Sequence, residues 1–141
     1  MSSDSSPSPS ELRRRRRRWW LNLVGGFGNI ERQRERWSDP GQYDTYVTLT
    51  VSYLDDLGLS EELGGLRGQL ELSMISPAEF EIALPLHRLI LAYEEPNGDY
   101  TDHATILADP RWHEIVRAAQ SARARLTPLL SDPDELRAFD V

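Results

Sequence analysis

The sequence predicts a mainly α protein built as a compact single helical domain with a disordered basic N-terminal segment, and three observations carry that expectation. Apolar residues recur at helical spacing in the second half, capping residues followed by proline punctuate the chain, and 141 residues without cysteine suit one core held by packing alone. The expected layout is a disordered tail over residues 1–10, a basic and aromatic helix over 11–27, and a helical body over 28–141.

The tail, MSSDSSPSPS, has no apolar anchor to offset the entropy of ordering. Ser10 is placed to cap a helix from Glu11 to about Val24, ended by Gly25, Gly26 and Gly28. A second helix over 29–37 stops before Asp39-Pro40-Gly41, a turn tripeptide. Residues 43–54 stay open. Val47, Leu49, Val51 and Tyr53 alternate with polar neighbours as in a strand, while Tyr43, Tyr46, Val47, Thr50, Val51, Leu54 and Leu57 also share one helical face. Ser76-Pro77-Ala78-Glu79 has capping-box form and starts a helix through Phe80, Ile82, Leu86, Leu89, Ile90 and Tyr93 to Glu95, with a kink or short break expected at Pro85. Pro96-Asn97-Gly98-Asp99 makes a turn. Asp109-Pro110 opens a helix whose inward stripe is Trp112, Ile115, Val116, Ala119, Ala122 and Leu126, and Asp132-Pro133-Asp134-Glu135 repeats the cap for a short terminal turn.

The formal net charge of -7 divides unevenly along the chain. Residues 1–36 hold nine arginines against four acids, a balance of +5, whereas residues 37–141 carry -12. All sixteen basic residues are arginine, which points to a high-GC, actinobacterial coding bias. An acidic molecule repels nucleic acid and anionic membrane as a whole. No run approaches the roughly 18 apolar residues of a spanning helix. The arginine run and the apolar residues after it lack a cleavage site and are broken by Asn22 and the glycines, so a cytoplasmic protein is expected.

The chain offers little for catalysis. His87, His103 and His113 stand outside HExxH and triad contexts and read as surface or core-edge residues; there is no Gly-x-Ser-x-Gly elbow, and with no lysine there is no phosphate loop. No catalytic residue, cofactor or metal site is assigned. Two charged groups remain. Asp55, Asp56, Glu61 and Glu62, with Asp99 and Asp102 in a later loop, read either as a solvated face or as a docking surface for a basic protein partner. Arg13, Arg14, Arg15, Arg16, Arg17 and Arg18, followed by Trp19 and Trp20, read as a solvated tail, a strap on the acidic body or an upstream extension. The alternative is an adaptor that grips nucleic acid or anionic membrane through this segment. Six neighbours about 100° apart circle a helix rather than line one face.

The order RQRERW, SYLDDLGL, LRGQLEL and ILADPRWHEIVRAAQSA over residues 28–126 resembles a family of small acidic bacterial proteins, common in actinobacteria, some of them immunity proteins of contact-dependent growth inhibition systems. Its most specific part is Asp109-Pro110-x-Trp112 before a small-residue helix, and the Asp55-Asp56 pair is second. The arginine run has no counterpart there. The resemblance implies a compact helical fold, with helix over 43–54, and a non-catalytic protein that neutralises a cognate toxin, often a nuclease, by covering its active surface.

Overall fold

The computed structural model describes residues 6–41 and 44–140, in which α-helices and short helical turns replace any strand. The mainly α class expected from the sequence is the class observed. The disorder expected of residues 1–5 and the place of Tyr43 on a helical face lie outside the described residues.

Helix α1 (Pro9–Gly28) begins earlier and ends later than its sequence implies. Ser8, not Ser10, is the cap, its Oγ accepting from the Glu11 amide at 3.2 Å, with Pro9 at the first helical position. Residues 9 and 10 therefore belong to the helix rather than to a tail. Gly25 and Gly26 do not end it, and Gly28 is its last residue. A Cβ on Gly25 would lie 2.1 Å from the Phe139 carbonyl oxygen, and one on Gly28 would press on Gln120 at 3.2 Å. Their missing side chains let the C-terminal segment and α7 (Pro110–Leu126) close onto α1, which is worth the entropy that helical glycine costs. Leu21 and Phe27 are fully enclosed, and α1 packs most extensively on α7 and on α8 (Pro133–Ala138). Residues 11–27 are thus a core helix and not a segment apart from 28–141.

Helix α2 (Ile30–Arg36) is capped by Asn29, and Asp39 accepts from the Gly41 amide in the expected turn. Residues 46–56 resolve the ambiguous segment in favour of helix. Thr45 caps α3 (Tyr46–Val51), which widens into one π-helical turn over Ser52–Asp56. Tyr46, Leu49, Tyr53 and Leu57 turn inward while Val51 is 40% exposed, so the segment is helical but its buried face is rotated from the expected one, which had Val47 and Val51 in place of Leu49 and Tyr53.

After a 3-10 turn (Glu61–Leu63) and α4 (Gly65–Glu71), the capping box forms as expected at α5 (Pro77–Ala92). The Glu79 amide donates to Ser76 Oγ at 3.1 Å, and the Ser76 amide donates to Glu79 Oε1 at 2.7 Å. Helix α5 runs through Pro85 without a break. Pro85 and Glu81, whose carbonyl loses its usual donor, both lie on the exposed side, where water can serve that carbonyl. Asp102 caps α6 (His103–Ala108) and Asp109 caps α7, whose six expected inward residues are all buried. Trp112 is the hub. Its ring lies 5.3 to 6.1 Å from those of Tyr93, Trp37, Tyr46 and Phe27, and its indole N–H donates to Gln33 at 2.8 Å.

Candidate functional site

The six consecutive arginines do circle α1, and the circle divides them by task. Arg13 donates to the Ser73 carbonyl at 2.9 Å and Arg16 to the Leu57 carbonyl at 2.8 Å. Arg17 points into the core at 7% exposure. Its guanidinium meets Glu79 through two bonds of 2.9 and 2.8 Å, Glu135 at 2.6 Å and the Met74 carbonyl at 2.6 Å. The bonds from Glu79 chiefly, with those from Glu135, raise the Arg17 pKa against the opposing effect of burial. Burial pushes the Glu79 carboxyl up, but hydrogen bonds from Arg17 and Ser76 outweigh it and hold the group below its ordinary value. The run is therefore a strap that crosses the body, not a solvated tail. Arg14 and Arg15 remain exposed and Arg18 half-buried beside exposed Leu12 and Trp19, whereas Trp20 is a core residue.

The acidic corner is built by the π-helical turn. Its wider pitch is closed by the Leu57 amide on the Ser52 carbonyl at 3.0 Å, with Tyr53 facing inward and Asp55 and Asp56 outward. The chain then turns through Gly58, at φ 73°, into the 3-10 turn that exposes Glu61 and Glu62. Among the described residues no ion pair engages Asp55, Asp56 or Glu62, so three carboxylates of one short segment face solvent unneutralised.

Glu61 is different, because it stands over His87. The expectation that His87 lies at the surface or core edge is corrected: it is 3% exposed, on the inward face of α5. The Tyr53 hydroxyl lies 2.7 Å from His87 Nδ1, and the Glu61 carboxylate 3.6 Å from Nε2 favours the tautomer in which Nε2 carries the proton and the Tyr53 hydroxyl donates to Nδ1; burial raises the Tyr53 pKa. The neutral ring then carries its own proton on Nε2. That nitrogen has no hydrogen-bond partner; Glu61 Oε1 stands 3.6 Å away, beyond bonding reach, on a side chain that is 75% exposed. Burial lowers the His87 pKa, and Glu61 offsets part of that effect. Beside the pair opens a cavity of about 310 Å³ lined by Glu61, Gly64, Leu66, Arg67, Gly68, Glu71, Phe80, Leu84 and His87.

Asp99 and Asp102 lie in the later loop and make local bonds. Asp99 accepts from the Thr101 amide at 2.8 Å and hydroxyl at 2.6 Å, bonds that lower its pKa, and Asp102 caps α6 through Thr105. His103 Nδ1 donates to the Trp37 carbonyl at 2.7 Å and His113 Nε2 to the Leu107 carbonyl at 2.6 Å. Among the described residues no cluster of three or more ligating side chains could hold a metal ion, and no helix is long and apolar enough to cross a membrane. The sequence reading missed the Tyr53–His87–Glu61 contact, although Phe80, Ala83, His87 and Ile90 share one stripe of α5 and so marked His87 as inward. No family model, curated protein or solved structure matches the chain.

Proposed function

We propose that this chain is a non-catalytic binding protein whose acidic corner, Asp55, Asp56, Glu61 and Glu62, docks on a basic protein partner in the cytoplasm. The partner class that the sequence resemblance suggests is a toxin domain, neutralised in the manner of an immunity protein. The observation that carries the reading is the unneutralised state of Asp55, Asp56 and Glu62 on two successive helical turns. Carboxylates held without internal cations keep a field available to an approaching cationic surface and accelerate encounter.

The adaptor reading through residues 13–20 is reduced to the outward residues Arg14, Arg15, Arg18 and Trp19, since Arg13, Arg16 and Arg17 are engaged within the fold. The experiment is to recover the partner from the native host on tagged protein and measure association rates. Replacing Asp55 and Asp56 with asparagine should slow association, and more at low salt than at high. Unchanged rates in both salts would remove this corner as the docking face. A substrate turned over by the purified protein, with the activity lost on His103 or His113 substitution, would end the binding-only reading.

A further inference from the structure

We propose that the cavity beside His87 is a socket for one arginine side chain of the protein partner, with Glu61 and Glu71 gripping the guanidinium. The inference rests on the docking role proposed for the acidic corner and adds to it an occupant and a depth.

Three observations converge on the cavity. The first is the buried His87 Nε2–H, aimed at Glu61 and left without a partner. A buried donor left unsatisfied costs free energy, so the arrangement is retained at an expense that a bound state can remove. When a cation draws the Glu61 carboxylate inward, one oxygen closes the 3.6 Å gap to Nε2–H and the other faces the guest. His87, itself held by Tyr53, is thereby a positioning residue for Glu61.

The second observation is the lining. Two acidic residues of the lining, Glu61 and Glu71, outnumber its one basic residue, Arg67, whose guanidinium lies 5.1 Å over the Phe80 ring. Leu66, Leu84 and Phe80 give apolar wall for the methylene stem of a long basic side chain. Two carboxylates on separate elements suit the several donors and weak hydration of a guanidinium better than the point charge of an ammonium. A free anion would meet the same carboxylates as repulsion. A metal ion at Nε2 would require the opposite tautomer, leaving the buried phenol proton of Tyr53 with no acceptor.

The third is Gly68. It lies in helix α4, where glycine weakens the helix, and a Cβ there would meet nothing within 4 Å. Packing does not require a glycine at this position, and the missing side chain leaves that wall of the cavity open.

The test uses the full chain with capped arginine as the probe, read by NMR through the ring signals of His87 and Phe80. Capped lysine, capped citrulline and inorganic phosphate are the comparisons. Capped arginine should shift both rings saturably, lysine more weakly, and citrulline and phosphate not at all. Gly68→Leu, which fills the cavity, and Glu61→Gln, which keeps the fold should the first variant not, should each weaken arginine binding roughly tenfold or more, the scale of one charge-assisted hydrogen bond. An arginine-rich peptide separates the two claims. If it binds and is weakened by Asp55→Asn with Asp56→Asn but not by Gly68→Leu or Glu61→Gln, the docking face stands and the socket falls. If phosphate or citrulline shifts the His87 ring as arginine does, the socket is not a guanidinium site.

Discussion

Two basic side chains, Arg17 and His87, are buried among the described residues of this core, and their bonds are completed to different degrees. Arg17 is saturated: two carboxylates and a carbonyl surround its guanidinium, and each partner comes from an element distant in sequence, α5, α8 and the loop before α5. His87 is half finished, with Tyr53 on one nitrogen and a gap to an exposed glutamate on the other. A closed set of bonds ties α1 to the body and can do nothing else. An open one keeps a donor in reserve, and here it lies against a cavity and next to unneutralised carboxylates. The comparison teaches that two groups equally hidden from solvent can differ in how completely their bonds are satisfied.

The largest effect should come from breaking the closed site. Arg17→Ala leaves Glu79 and Glu135 buried without their cation and should destabilise the fold by about 3–5 kcal/mol in a denaturant melt. A loss below about 1 kcal/mol, the scale of an exposed pair, would show that the strap is not a structural tie. The next tests set two helical glycines against each other. Gly25→Ala drives a methyl into the Phe139 carbonyl and should cost about 1–3 kcal/mol, whereas Gly68→Ala enters open space and should gain about 0.5–1 kcal/mol from helix propensity. Equal effects at the two positions would break the contrast.

The pH dependence separates the sites by window. The folded pKa of His87 is lowered, so the unfolded chain takes up a proton first and stability is lost as pH falls below the ordinary value of 6.5. Glu79 is also lowered, and its contribution, present above 4.5, is lost as pH falls further. His87→Gln should flatten the upper limb of a stability profile and leave the lower one. An upper limb that survives the substitution would assign it elsewhere.

Much of this fold was legible in the sequence, for reasons of range. The capping box at Ser76, the cap at Asp109 and the α7 stripe are set by residues within a few positions of one another, and all formed as expected. The fate of the arginine run depends on partners as far away as Glu135, 118 positions along, and identical neighbours hide which one faces inward. A signal existed, since Arg17 shares the stripe of Leu21 and Val24. The glycines of α1 were misread because a helix breaker and a close-packing site look alike until the opposing backbone is known. The acidic corner was visible as composition, but the cavity beside it needed α4, α5 and the π-helical turn in place.

The contrast between the closed and open sites is tested most directly by removing one carboxylate charge from each and measuring two quantities on the same samples. Glu135→Gln and Glu61→Gln should be compared for melting temperature and for affinity to one arginine-rich peptide at low salt. The account predicts that Glu135→Gln lowers the melting temperature and keeps the affinity, while Glu61→Gln keeps the melting temperature within error and loses affinity. If Glu61→Gln destabilises the fold as much as Glu135→Gln does and binds the peptide as tightly as the parent, Glu61 is structural and the contrast between the two sites is wrong.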